Sequence, residues 1–292
     1  MKVALYARQV AREHFPFISQ LLDELKRLRT DLYIYQPLYH ELIGGGVDTD
    51  SVVPFHAGSE IHNKVDFLIS LGGDGTILDT LTLVQDSGIP VLGINLGRLG
   101  FLTSIGRDEI AMAMDALEKG HFTLDNRALL RLESNRNLFG GANYALNELT
   151  IHKKDSSSMI TIHTYLNGEY LNSYWADGLI IATPTGSTGY SMSCGGPIVA
   201  PYSGNFVITP IAPHNLSVRP IVVSDKNVIS LEVEGRNPYF LATLDSRSVT
   251  IDTAISLAVR REDFTMNLVR LGSSNFLDTL RKKLGWGLDT RN

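Results

Sequence analysis

The chain has 292 residues, of which 43% are hydrophobic and 20% charged, so it can build large packed cores and is not a disordered polyelectrolyte. At roughly 150 residues per domain its length fits two domains. Its net charge of −5 lacks the basic excess of a nucleic-acid or membrane-surface binder, so neither partner is expected.

The single cysteine, Cys194, leaves no intrachain disulfide and fits a reducing compartment. The histidines form no zinc-spaced cluster, and no residue set is assigned to a metal. The apolar run after Met1 is shorter than a secretory signal needs, and no stretch approaches a bilayer span, so a cytoplasmic location is expected.

The first part of the chain alternates strand and helix signals. Val3 to Tyr6 reads as a buried strand. Phe17 to Leu28 has the apolar spacing of a helix. Leu32 to Tyr35 is a strand, and Lys64 to Leu71 a buried strand that runs into glycines. Ile77 to Val84 is helical in period, Pro90 to Ile94 a strand and Ile110 to Leu117 a helix. Between them, Gly44 to Asp50 reads as a flexible connection. This rhythm predicts a parallel sheet covered by helices, a Rossmann-like α/β domain over residues 1–124.

Beyond Leu124 helix signals fade. Arg127 to Glu133, Asn143 to His152, Ser158 to Leu166, Glu169 to Trp175, Gly178 to Ala182, Phe206 to Ile211, Val228 to Val233, Tyr239 to Leu244 and Ser248 to Ala258 read as strands. Asn167-Gly168 is a hairpin signal. Residues 125–269 are therefore expected as a β-rich, sandwich-like domain. Asn275 to Leu284 predicts a closing helix, stopped at Gly285, and residues 270–292 are expected to return to the first domain.

Two segments carry chemistry. In the first, the strand Leu68 to Leu71 runs into Gly72-Gly73-Asp74-Gly75-Thr76, and a helix follows. Such a turn stands at the carboxyl edge of a parallel sheet, where ligands bind. Helix-start amides suit a phosphate, which assigns Gly72, Gly73 and Thr76 to phosphate binding. A helix cap would account for Asp74 alone. It would not account for the three glycines around it, each costing backbone entropy. No Walker loop and no G-x-G-x-x-G is present, so the site is of another type.

The second segment runs from Asp177-Gly178 through Thr183 to Pro197, and ten of the fifteen residues from Thr183 are Gly, Ser or Thr. Tyr190, Met192 and Cys194 alternate within it, and apolar strands abut both sides, unlike a linker. It reads as a wall of hydroxyls and amides against a sugar and phosphates, with Tyr190 free to stack on a base.

Gly72 to Thr76 is similar to the signature turn of NAD kinases, of diacylglycerol and sphingosine kinases and, more loosely, of phosphofructokinases. Asp177 to Pro197 resembles the second signature of NAD kinases. Further stretches are family-like: Gly93 to Asn95, Gly100 to Thr103, Asn147-Glu148, Pro213 to Ser217 with Arg219-Pro220, and Leu280 to Trp286. The resemblance implies an NAD kinase using ATP and magnesium, with Asp74 catalytic and a dimeric or tetrameric assembly. It implies that Gly75, Asn147, Glu148, Asp177, Thr188, Gly189, Tyr190, Ser191, Met192 and Ser193 line the NAD site, and Arg247 is counted with them.

Three positions depart from the family pattern. Gly189 stands where relatives often have Ala, Trp175 where they often have Arg, and Arg247 where they have Gln. Trp175 is expected as a packed core residue. The alternatives are a lipid kinase built on the same turn and a dinucleotide-binding module without activity.

Overall fold

The protein is described from a computed structural model covering residues 1–97, 100–103, 105–154, 158–272 and 275–286. The expected tail at 287–292 lies outside the described residues. Two compact units divide the chain, residues 1–126 with 266–292 and residues 127–265.

The first unit contains β1 (Lys2–Tyr6), α1 (Phe15–Arg27), β2 (Asp31–Tyr35), α2 (Gln36–Gly44), β3 (Val52–Phe55), β4 (Phe67–Leu71), α3 (Asp74–Val84), β5 (Val91–Asn95), β6 (Ile105–Gly106) and α4 (Ile110–Glu118). Its parallel strands run in the order β3-β2-β1-β4-β5. β4 and β5 are buried at every position, as strands covered on both faces must be. α1 buries Ile18, Leu21, Leu22 and Leu25, the i, i+3, i+4, i+7 stripe of an amphipathic helix.

α2, β3 and the two-residue β6 are not among the elements the sequence pattern predicts. In α2 only Leu38 and Leu42 are buried, too short a repeat to show a helical period. β3 contains Pro54, which a sheet edge tolerates because the edge needs no donor there.

The second unit begins within β7 (Thr123–Ser134) and continues through β8 (Tyr144–Ala145), β9 (Glu148–Lys153), β10 (Ile160–Leu166), β11 (Glu169–Ala176), β12 (Gly178–Ala182), α5 (Tyr190–Ser193), β13 (Asn205–Ile211), β14 (Ile221–Ser224), β15 (Ile229–Glu234), β16 (Tyr239–Leu244), β17 (Arg247–Asp252) and β18 (Leu257–Arg270). One antiparallel sheet runs β14-β13-β12-β9-β16-β17, and a second array pairs β11-β10-β15-β18. Phe206, Phe240, Ile162 and Leu231, drawn from both, share one core, as the sandwich reading expects. Asn167 and Gly168, both at positive φ, make the hairpin between β10 and β11.

Ser248 to Ala258, expected as one strand, is two. A turn closed by Ile255 N–H on the Asp252 carbonyl separates β17 from β18. The last residues of β18 belong to the first unit, where Leu268 pairs with Val91. α6 (Phe276–Leu284) is there too, capped by the Asn275 side chain and ended by left-handed Gly285.

The core of the second unit is tight. Phe206→Ala, which empties a fully buried ring site, is expected to cost about 3–5 kcal/mol. Chemical denaturation followed by tryptophan fluorescence checks it.

Candidate functional site

The glycine turn sits where β4 ends and α3 begins, and its glycines have different causes. Gly72 has φ +149, and a Cβ there would meet the Thr76 hydroxyl at 2.3 Å. Gly72 is therefore required by the turn itself. A Cβ on Gly73 or Gly75 would meet nothing within 4 Å. Neither residue has positive φ, and Gly75 lies inside α3, where glycine costs about 1 kcal/mol against alanine. The fold gains nothing from these two glycines. They leave a main chain that an anion can approach closely.

Asp74 does not cap its own helix. Its carboxylate reaches a neighbouring loop instead. Oδ2 accepts from Phe101 N–H at 2.7 Å, and Oδ1 from Leu102 N–H at 3.0 Å and Thr103 N–H at 3.1 Å. The Thr103 hydroxyl, which also accepts from Gly100 N–H, lies 3.4 Å from Oδ1. A Cβ on Gly100 would fall 1.8 Å from Oδ1, so only glycine lets the loop close on the carboxylate. The family-like stretch Gly100 to Thr103 thus acts by holding Asp74.

In the second unit, Asp245 repeats this arrangement. It occupies the hairpin tip between β16 and β17 at φ 53. Its Oδ2 accepts from Leu146 N–H at 2.8 Å, and Oδ1 from Asn147 N–H at 2.8 Å and Glu148 N–H at 3.2 Å. Burial pushes its carboxyl pKa up, while these amides and Arg247 pull it down. Its position at a strand turn was visible in sequence, but its distant partners were not.

Asn147 and Glu148 are thereby fixed by their main chain, which leaves their side chains uncommitted. Asn147 Oδ1 and Glu148 Oε2 are buried without a hydrogen-bond partner. Buried polar atoms are seldom left so. Burial first, and then the Asp245 charge, raise the Glu148 pKa to about 8.

The Ser/Thr/Gly segment leaves β12 beside this pair, because Ala182 is the ladder partner of Glu148. It folds into a 3-10 turn, Gly186–Thr188, and then α5. Most of its hydroxyls hold the segment to the protein, a correction to the reading of them as a ligand-facing wall. Thr183 Oγ1 donates to the Leu146 carbonyl, Ser187 Oγ bonds Pro184 and Val199, and Ser191 Oγ lies 2.8 Å from Thr209 Oγ1. All three are fully buried. Thr188 donates to the Thr185 carbonyl but is only partly buried. Gly189, with Glu148 Oε2 3.3 Å from where its Cβ would stand, borders the unpartnered carboxylate. Met192 is half-buried, and Tyr190 and Ser193 are exposed.

Asp177 enters β12 and forms an ion pair of 2.6 Å with Lys153. It also helps raise the Tyr190 phenol, after burial and Cys194. Arg247 donates to the Ala142 and Tyr144 carbonyls and lies over the Phe139 and Tyr144 rings, so it clamps that loop. Trp175, expected in the core, is 53% exposed and stacks on His214 at 4.3 Å. On β11 Tyr174 and Ala176 take the core face, so Trp175 between them lies on the opposite face, in line with Thr161 and Glu234. Among the described residues no group of three His, Cys, Asp or Glu is placed to hold a metal ion.

Two family models match the chain. Residues 41–122 match the ATP-NAD kinase N-terminal domain, and residues 146–271 the ATP-NAD kinase C-terminal domain. The NAD kinase of Cytophaga hutchinsonii is 47% identical, with 100% of both chains covered. The chain belongs to the NAD kinase family.

Two solved structures share its fold. A yeast NADH kinase complexed with NADH superposes with a TM-score of 0.88 at 23% identity, covering 100% of this chain and 89% of that one. An NAD kinase from Archaeoglobus fulgidus in complex with ATP gives 0.73 at 27% identity, covering 98% and 99%. The parallel α/β unit, the antiparallel β-rich unit and the closing helix are the architecture of this family member.

Two predictions follow from the site. The Glu148 pKa is about 8 in the folded chain, against an ordinary 4.5. The stability held by its neutral form is complete below about pH 4.5 and is lost as pH rises through about 8. Glu148→Gln removes that loss. Its melting temperature relative to the parent should therefore climb between about pH 5 and 8 and level off above that in ligand-free thermal scans, following the linkage. Gly75→Ala should raise the melting temperature by up to a few degrees, since it removes a helical glycine costing about 1 kcal/mol. The same variant should bind nucleotide more weakly by calorimetry. Unaltered binding would mean that no ligand approaches there.

Proposed function

We infer that the chain transfers the γ-phosphoryl group of ATP to the adenosine-ribose 2′-hydroxyl of NAD, giving NADP and ADP. The observation that carries this reading is a carboxylate locked in place beside glycines the fold does not need. Phosphoryl transfer passes through a loose transition state, so positioning and charge neutralisation supply most of the catalysis.

Asp74 suits the nucleophile's side of that reaction. A carboxylate has about four lone-pair positions, and three main-chain amides occupy three of them. Oδ1 takes two of these amides and Oδ2 one, so a lone pair on Oδ2 remains to accept the 2′-hydroxyl proton. The three amides also prevent the carboxylate from turning away, which aligns the hydroxyl with phosphorus. General-base help is worth about 10²–10⁴-fold, and correct mutual placement of the reactants about 7–11 kcal/mol.

The Gly73 amide would receive a phosphate oxygen, and Gly75 would leave room for it; the Gly72 N–H is taken by the Ile94 carbonyl and the Thr76 N–H by the Gly73 carbonyl, each at 3.0 Å, so those two would shape the turn around the phosphate. Asn147 Oδ1 and Glu148 Oε2 would take donors from the dinucleotide, which supplies the partners they lack. Thr188, Gly189, Tyr190, Met192 and Ser193 would border the same ligand. Ser191 would contribute through the main chain, its hydroxyl being held by Thr209. Asp177 and Arg247 would shape the site through Lys153 and the loop at 139–144.

Magnesium enters as part of the substrate, the metal–ATP complex, because bringing polyanions together otherwise costs several kcal/mol. The reading extends to a cytoplasmic homo-oligomer, dimer or tetramer. The exposed apolar side chains of Trp175, Tyr202 and Leu216 are the kind that self-association buries.

The deciding experiment incubates the protein with ATP and magnesium and follows NADP and ADP, with NAD and NADH compared. ADP release separates catalysis from binding alone, and diacylglycerol vesicles serve as the competing acceptor. Asp74→Asn is expected to keep dinucleotide binding while kcat falls at least ~100-fold. Turnover near that of the parent would refute the role of Asp74.

A further inference from the structure

The first unit has a topological switch point. The strand order β3-β2-β1-β4-β5 means that the chain leaves β1 towards β2 and β3, then pairs β4 on the other side of β1. Connections depart in opposite senses from the carboxyl ends of β1 and β4, and the crevice between them is where open α/β sheets take their ligands. The glycine turn forms only the β4 side of that crevice. The β1 side is Ala7 and Arg8. Tyr6 pairs with Ser70, so β1 and β4 end side by side and Arg8 and Gly72 follow at the same edge of the sheet.

Arg8 is held there in a particular attitude. Its Nε donates to Asp79 Oδ2 at 2.7 Å and its Nη2 to Asp79 Oδ1 at 2.5 Å, a two-pronged fork. Asp79 lies on α3, the helix that Asp74 begins. The Asp79 side chain is 14% exposed and the Arg8 side chain 57%. An ion pair this open contributes little to folding. Its effect is to fix the plane of the guanidinium while the group stays accessible. The fork uses two of five N–H groups. Even with the Tyr6 phenol beside it, donors remain for a second anionic partner.

We propose that Arg8 binds the polyphosphate of the nucleoside triphosphate donor, and that Asp79 is the positioning residue that orients it. This rests on the phosphoryl-transfer reading and extends it to a residue that no motif contains. The donor's γ-phosphorus must come beside the hydroxyl that Asp74 holds, so the triphosphate necessarily passes the glycine turn. The NAD pyrophosphate hangs from the far side of its ribose, away from the 2′-oxygen. The triphosphate also carries the greater charge, and a fixed guanidinium is the complementary donor for phosphate oxygens.

The test is steady-state kinetics of the full chain, with ATP varied at saturating NAD and the reverse. Arg8→Ala should raise KM for ATP at least about tenfold, the scale of one lost charge-assisted contact. KM for NAD should move less than about twofold, and the melting temperature by no more than about 2 °C, as for an exposed pair. Arg8→Lys should recover part of the loss, because the charge survives without the fork. Asp79→Asn should raise KM for ATP by a smaller factor than Arg8→Ala. Inorganic tripolyphosphate should compete with ATP less well in Arg8→Ala, while competition by adenosine stays as it was.

An unchanged KM for ATP in Arg8→Ala, or a loss falling on NAD, overturns the proposal. So does an equal weakening of adenosine. Should Arg8→Ala not fold, Arg8→Lys and Asp79→Asn carry the same ATP-only expectation and the same grounds for rejection. A parent protein that forms no NADP would instead sink the phosphoryl-transfer reading. In that event, thermal stabilisation by tripolyphosphate, present in the parent, reduced in Arg8→Lys and lost in Arg8→Ala, would still decide whether Arg8 holds phosphate.

Discussion

Three successive amides converging on one carboxylate are the constraint from which the first unit's site is built. Asp74 cannot accept from Phe101, Leu102 and Thr103 together unless their loop is folded tightly against the start of α3. That folding in turn demands a residue without a side chain at Gly100. An acid in the first turn of a helix ordinarily serves the helix. Here no side chain caps the helix start, so an incoming anion can reach the turn ahead of Thr76, whose own amide the Gly73 carbonyl takes. Tying the loop and freeing the helix terminus are two results of one set of hydrogen bonds.

The second unit uses the same device for another purpose. Asp245 gathers the amides of 146–148 from almost a hundred residues away. This satisfies the main chain at the start of β9 without using the side chains. Asn147 and Glu148 are then held rigidly while their polar atoms stay unmatched, an arrangement that is costly in an empty interior. The raised Glu148 pKa expresses that cost as a retained proton. Two carboxylates so close in a buried setting cannot both be charged cheaply, and Asp245 has the amides and Arg247 to support its charge.

How much of this could be read from the residues depended on sequence distance. The alternation of β1 to α4, the hairpin at Asn167-Gly168 and the capped α6 are local patterns, and local propensity decided them. The glycine turn was equally legible, since strand, glycines and helix are contiguous. α2 was missed because two buried leucines give no period. The partners of Asp74, nearly thirty residues away, and of Asp245 left no local trace. Trp175 was misjudged for a related reason. An indole's exposure depends on which face of its strand meets the core, and here Tyr174 and Ala176 take that face.

Glycines of like sequence setting have unlike causes in this fold. Composition treats the glycines of 72–75 and of 186–196 alike, as costly residues that need a reason. The structure separates them. A Cβ on Gly186 would strike the Asn147 carbonyl at 2.1 Å, and one on Gly196 the Ser191 hydroxyl at 2.2 Å. Those glycines are accounted for by packing, and their segment is fastened by its own buried hydroxyls. Gly73 and Gly75 face open space, with ordinary backbone angles. A residue that weakens its helix while relieving no clash has its cause outside the chain. The glycine turn therefore points to a bound anion, and the Ser/Thr/Gly segment points first to its own rigidity.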